Sequence, residues 1–261
     1  MSEAIPQHDL VITNNDGNGV FTIALNRPEK RNALNIPLLE ALCAAVKTAN
    51  EDESVRVIIL RGHGPVFCAG LDLKEAGDTH NSHRSAELIA QMLSSVYYSP
   101  KATIAAVHGA ALAGGAGLMS CCDIVIAGAD AQIGYPEVRR GMVAGLVMTF
   151  LRRQLHERHA RELLITGLII DAERAAEIGL VTRCVPTDML DEMVAQVVSE
   201  ILKGAPGAIA RSKRLFDELW HHPATADFER ALALHVEVRN AGEAQEGMKA
   251  FLDKRTPSWD R

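Results

Sequence analysis

Residues 102–122, ATIAAVHGAALAGGAGLMSCC, contain no lysine, arginine, aspartate or glutamate. A charge-free run of this length satisfies its backbone either as a membrane-spanning helix, which takes roughly 20 apolar residues, or as successive elements inside a protein core. The composition selects the core. His108, Gly109, Gly114, Gly115 and Gly117 interrupt the run, and much of its apolar content is alanine, so its transfer into lipid is weakly driven. TIAAVHG (103–109) reads as a buried strand and the glycine-rich remainder as a buried helix. Both need a large body around them, and a chain of 261 residues that is 48% hydrophobic supplies one, as a single large domain or a domain with a small appendage.

The same strand, turn, helix order recurs along the chain. DLVIT (9–13) and the alternating VFTIALN (20–26) flank NNDGNG (14–19), a hairpin-turn sequence. A turn at RPEKRNALN (27–35) leads to the helical LLEALCAAVKTANED, then to the buried strand VRVIILRG (55–62). FCAGLDLKEAGD (67–78) is a glycine-broken turn, AELIAQMLSSVYY (86–98) a helix, and DIVIAG (123–128) another strand. ADAQIGYPEVRRG then gives a turn, a short extended segment and a helix start at Pro136. Strands alternating with helices predict an α/β fold with a parallel sheet. DAERAAEIGLVTRCVP (171–186) predicts a helix ending at Gly179 and a last short strand, and beyond Thr187 the pattern is helical throughout.

The net charge of −6 with dispersed Lys and Arg gives no basic stripe, which argues against nucleic acid as a partner. MSEAIPQHDL lacks the basic flank and apolar core of an export signal, and Glu3 and Asp9 are unlike a transit peptide, so the expected setting is cytoplasmic, with no membrane partner. Cys43, Cys68, Cys121, Cys122 and Cys184 have no CxxC or zinc spacing and read as reduced thiols. The adjacent His221 and His222 lack further ligands at metal spacing, and no metal site is expected.

Two glycine-containing turns, FCAGLDL and ALAGGAG, each follow a buried strand, where ligands gather in α/β folds. Gly70 permits close backbone approach, while Gly114, Gly115 and Gly117 open a helix whose free N–H groups favour negative charge. Two donors from two turns would converge on one oxygen; tight strand–helix packing accounts for the same glycines. Glu137, after Pro136, is either a buried carboxyl with a raised pKa suited to proton transfer or a solvated residue stabilised by a helix dipole.

LNRPEKRNALN, VFCAGLDLKE, IAAVHGAALAGGAGL, CDIVIA, AQIGYPE, AAEIGLV and EGMKAFLDKR resemble, in order and approximate spacing, the enoyl-CoA hydratase/isomerase (crotonase) family over nearly the whole chain. The resemblance implies a spiral of ββα units in residues 1–200 and a C-terminal helical trimerisation layer in 201–261, assembled as homotrimers or dimers of trimers. It implies an acyl-CoA thioester substrate, with coenzyme A arriving as part of that substrate and no separate cofactor. By position it places the backbone N–H groups of Leu71 and Gly114 in an oxyanion hole and Glu137 as the acid/base. Ala69, Asp72 and Leu73 match the segment lining the CoA pantetheine and adenine. Phe251 and Lys254 match residues that reach a CoA on a neighbouring subunit, and Arg27 and Lys30 are further phosphate contacts.

One position departs from the family. Two-glutamate hydratases carry a second carboxylate three residues after the oxyanion glycine, where this chain has Gly117. One glutamate suffices to move a proton from Cα to Cγ, so Δ3,Δ2-isomerase chemistry is natural, and hydration requires Glu137 to make both transfers. The alternatives are an acyl-CoA-binding homologue with weak or no catalysis, or decarboxylation or thioester hydrolysis on the same oxyanion hole. Those last reactions require another polar group in the acyl pocket, for which Tyr135, His108 and Arg139 are the candidates.

Overall fold

The computed structural model describes residues 9–76, 79–219, 224–240 and 242–258. His221 and His222 lie outside the described residues, as does most of MSEAIPQHDL. Strands β1 (Val11–Asn15) and β2 (Val20–Leu25) form the expected antiparallel hairpin, with Asn14 opposite Thr22. Asp16 closes its turn by accepting from the N–H groups of Asn18 and Val20. Helix α1 (Ile36–Glu51) begins where Asn35 accepts from the Leu38 N–H and Pro37 sits in the first turn.

Strand β3 (Val57–Gly62) follows, then the short α2 (Leu73–Ala76), α3 (Thr79–Tyr97) and β4 (Ala102–Val107). The charge-free run continues as β5 (Ala110–Leu112) and α4 (Gly114–Ser120). Next come β6 (Ile124–Gly128), β7 (Gln132–Gly134), a 3-10 turn at Pro136–Arg140, α5 (Gly145–Gln154) and α6 (Glu157–Thr166). After β8 (Ile169–Asp171), α7 (Ala172–Glu177) and β9 (Arg183–Val185), four helices end the chain: α8 (Leu190–Leu202), α9 (Pro206–Glu218), α10 (Ala224–Arg239) and α11 (Gly242–Leu252).

The main sheet has the order β1-β2-β3-β4-β6-β9 and is parallel beyond the first pair. Layers cover both its faces, which is why β3 and β4 read as continuous apolar runs. Ile58 and Leu60 point into the cluster that includes α1 and α3, while Val57, Ile59, Ile104 and Ile126 pack on Leu190, Val194, Val197 and Val198 of α8. A second, three-stranded sheet has the order β5-β7-β8.

Residues 102–122 therefore make two strands and a helix rather than one continuous span. Among the described residues no helix is long and apolar enough to cross a membrane. Gly109 turns β4 into β5 with φ of 62°, and a Cβ there would overlap the Pro65 carbonyl. The sequence reading misses β5 and β8, because three-residue strands carry too little alternation to register. The α3 helix begins before the predicted residue 86.

The helices after residue 201 are docked on the core of their own chain. Helix α10 packs on α3 and α5, and α11 packs on the 3-10 turn that carries Glu137. All five cysteines are free, and Cys68, Cys121 and Cys122 are buried. Burial pushes the Cys68 thiol up to about 12 and raises Cys121 and Cys122 as well, as befits packing groups rather than nucleophiles.

Candidate active site

Two backbone bridges fix the first glycine turn, one to Leu34 and one to β5 beside the second turn. Leu34 N–H donates to Gly70 O at 2.7 Å and Asp72 N–H donates to Leu34 O at 2.9 Å, so the intervening Leu71 N–H faces away from that bridge. Cys68 N–H donates to Ala110 O and Leu112 N–H to Cys68 O, both at 3.0 Å, which ties the first turn to β5. Gly70, at φ of 90°, is the point of closest approach: a Cβ on it would stand 2.7 Å from Leu112 O and 3.4 Å from Gly114 N. Glycine is required here both by conformation and by the neighbouring backbone.

The second turn is abrupt. Ala113 takes φ 49° and ψ −123°, a conformation that costs a non-glycine residue on the order of 1–3 kcal/mol. It carries the chain from β5 into α4 in a single residue. Gly114 is then the first helical residue, whose N–H has no partner within the helix. Leu71 and Gly114 both line a cavity of about 660 Å³.

Glu137 lines the same cavity from the 3-10 turn, which Pro136 opens and Gly141, at φ of 67°, closes. Its side chain is 8% exposed and its Oε2 atom is buried without a hydrogen-bond partner. Burial raises its carboxyl from 4.5 to about 7, against smaller opposing effects of a hydrogen bond from its own backbone N–H and of the Arg140 guanidinium. Of the two alternatives left open for Glu137, the structure shows the buried one.

The other cavity carboxylates are engaged. Asp72 pairs with Arg27 at 2.7 Å, and Glu75 accepts from the Ile36 N–H at 2.9 Å at the start of α1. Ala69, Leu73 and Lys30 also line the cavity, so nine of the ten expected site residues meet there. Phe251 stands on the wall of its own chain's cavity, and Lys254 is not among the lining residues.

Gly117 is filled space rather than an opening. A Cβ on it would lie 2.6 Å from Cγ2 of Val147 on α5 and 3.6 Å from Leu93 Cδ2. No second carboxylate extends from here without displacing Val147. We expect Gly117→Ala to destabilise the protein by about 1–3 kcal/mol through overpacking, and Val147→Ala to restore much of the loss in the double variant. Thermal melts of the two single variants and the double variant check this; additive losses would contradict it.

Tyr135, His108 and Arg139 do not line the cavity. Tyr135 Oη is 2.8 Å from Ser120 Oγ in the core, His108 Nε2 contacts Gly64 O at 2.9 Å, and Arg139 donates to Thr166 O at 3.3 Å. Decarboxylation or thioester hydrolysis therefore lacks the polar group it requires from these three residues.

Six polar lining residues escape the sequence reading: Arg31, Asn35, Lys74, Glu75, Arg140 and His235. Arg140 lies with its guanidinium carbon 4.8 Å from the centre of the Phe251 ring. His235, on α10, is 7% exposed and approaches Val143 O with Nδ1 at 3.3 Å. No local motif announces His235, because α10 reaches the cavity only through tertiary packing, while Arg140 ends the same 3-10 turn that carries Glu137.

A larger cavity, of about 1200 Å³, lies under α9. Its charged residues include the pairs Lys213–Asp123 at 2.7 Å and Arg153–Asp217 at 2.6 Å, and its cysteines have raised pKa values. Size alone does not make it the candidate site; Leu71, Gly114 and the buried carboxyl of Glu137 line the smaller cavity.

Comparison with known proteins agrees with this assignment of fold. The family model described as enoyl-CoA hydratase/isomerase matches residues 15–261. A Thermus thermophilus protein provisionally named an enoyl-CoA hydratase is 37% identical over 244 residues, 91% of this chain and 96% of its own. The 2,3-dehydroadipyl-CoA hydratase of Escherichia coli is 32% identical over 241 residues, 92% of this chain and 94% of its own. The crystal structure of an enoyl-CoA hydratase from Mycobacterium avium superimposes with a TM-score of 0.85 at 33% identity, covering 97% of this chain and 100% of the other.

Proposed function

The chain belongs to the enoyl-CoA hydratase/isomerase family, and from that premise we propose that it moves protons on an enoyl-CoA thioester with Glu137 as its single acid/base. The observation that carries this reading is one buried carboxyl with an unpartnered oxygen, on the same cavity as the N–H groups of Leu71 and Gly114. The thioester oxygen sits between those two N–H groups, where negative charge develops when a proton leaves the neighbouring carbon. On a 3-enoyl-CoA, the Glu137 carboxylate takes a proton from C2, the electron pair spreads into a dienolate, and the same proton returns at C4. On a 2-enoyl-CoA, Glu137 takes a proton from water as oxygen bonds to C3, then returns it to C2. Both sequences close with one carboxylate, which suits a site where Val147 fills the space beside Gly117.

Coenzyme A would run past Ala69, Asp72 and Leu73, with Arg27 and Lys30 near its phosphates and Phe251 on the opposite wall. The Arg27–Asp72 pair is 15% and 17% exposed, so Arg27 also fixes the turn that presents Leu71. A homotrimer or dimer of trimers would cover the apolar face of α9 and its end, where Phe216 is 79% and Leu219 is 75% exposed.

Incubation with 2-enoyl-CoA and with 3-enoyl-CoA, following each product, separates hydration from isomerisation. A purely acyl-CoA-binding protein gives turnover on neither. The pH dependence follows from the ionisation of Glu137. The carboxylate is the proton acceptor, so kcat/KM should rise about tenfold per pH unit below 7 and level off above about 7. Initial rates across that range check this, and a flat profile down to pH 5 would remove Glu137 from the proton-transfer step.

A further inference from the structure

We propose that His235 holds the oxygen that hydration adds to the acyl chain, accepting a hydrogen bond from its O–H at Nε2. This rests on the hydratase branch of the functional reading above. The Val143 carbonyl 3.3 Å from Nδ1 can only accept, so Nδ1 carries the ring proton and Nε2 presents a lone pair. Nε2 is buried and has no partner, on a residue that lines the cavity and is 7% exposed. Burial and Arg239, one turn later on α10, lower the imidazole to about 4, which keeps it neutral at working pH.

The lining that continues from Val143 is apolar, with Ala144, Leu146 and Val147, in a cavity whose other residues include Arg140 and Glu137. An acceptor in such surroundings requires a donor from whatever fills the cavity. The acyl part of an enoyl thioester has none, since its carbonyl oxygen accepts and its double bond carries no N–H or O–H. The donor that the reaction brings in is water, and after addition the same oxygen is the C3 hydroxyl. As the oxygen–C3 bond forms, one water proton passes to the Glu137 carboxylate and then to C2. The other stays on oxygen, in the hydrogen bond to Nε2. His235 gains no proton; it is a positioning residue, in the part of the reaction for which two-glutamate hydratases have their second carboxylate.

The test uses His235→Phe, which keeps a ring and removes the acceptor, and His235→Gln, which restores an acceptor through Oε1. Three rates are compared on the full-length protein: hydration of a 2-enoyl-CoA, dehydration of a 3-hydroxyacyl-CoA, and exchange of the C2 protons of a saturated acyl-CoA in deuterium oxide. Exchange needs the oxyanion hole and Glu137 but no added water, so it also reports a correctly folded site. We expect His235→Phe to lower hydration and dehydration by roughly tenfold to a hundredfold relative to exchange, and His235→Gln to recover most of that loss. Equal losses in all three rates, or unaltered hydration, would overturn the proposal. A wild-type protein that exchanges or isomerises without hydrating would also overturn it, while leaving the Glu137 reading intact. One that does none of these would overturn the functional reading itself.

Discussion

Glu137→Gln should abolish measurable isomerisation and hydration, a fall of at least about 10²–10⁴, while acyl-CoA still binds. Glutamine keeps the shape of the side chain and the apolar packing of the 3-10 turn, and loses only the ability to accept and return a proton. The same substitution should stabilise the fold. In the folded protein the carboxyl holds its proton up to about 7, whereas in the unfolded chain it ionises near 4.5. The folded state therefore binds the extra proton between those values, and stability falls as pH rises through 7, by a total on the order of 3 kcal/mol. Glutamine does not titrate, so the variant should melt several degrees above wild type at pH 8, with the advantage gone below pH 4.5. Loss of turnover with a gain in melting temperature is the signature of a group whose burial serves reactivity. Undiminished turnover would exclude Glu137 as the acid/base, and a lower melting temperature at pH 8 would contradict the burial argument.

Gly114→Pro should cost about 10²–10³ in turnover, the effect of losing one oxyanion donor. Gly114 is the first residue of α4, the helical position that best tolerates proline, whose missing N–H is unpaired within the helix in any case. A Cβ at this position meets only the end of Leu34, at 3.3 Å from Cδ1, so the side chain itself is accommodated by a small shift. Gly114→Ala carries the same Cβ and keeps the N–H, and its loss should be far smaller. Circular dichroism establishes that both variants are folded. If proline and alanine perform alike in kcat, Gly114 is a packing residue and its N–H is not part of the oxyanion hole.

What was legible in the sequence was whatever depends on local chemistry. The β1–β2 hairpin follows from NNDGNG, the parallel strands follow from their apolar runs, and Pro136 opens the turn that was expected to begin there. The convergence of two glycine turns was also legible, because each follows a buried strand. Burial of Glu137 was not, since it depends on what covers the 3-10 turn, and that cover includes α11, more than a hundred residues later. Gly117 read as an absence; only packing shows that Val147 occupies the place. Phe251 and Lys254 were matched to positions that reach a neighbouring subunit's ligand; within this chain Phe251 lines the cavity and Lys254 is not among its lining residues. His235 was invisible, being a polar residue whose only distinction is where tertiary packing puts it.

The cavity wall runs from Arg27 near one end of the chain to Leu252 near the other. Under the proposed function, a bound thioester would therefore touch segments from both ends of the chain at once. The helix α9 has no buried residue, and the helices that follow it rest on the body largely around this cavity. Occupancy at a hundredfold excess over Kd would add about 2.7 kcal/mol to the folded state, through contacts with residues from both parts of the chain. Under the proposed function, acyl-CoA would accordingly be a structural member as well as a reactant, bracing the fold on which it is turned over.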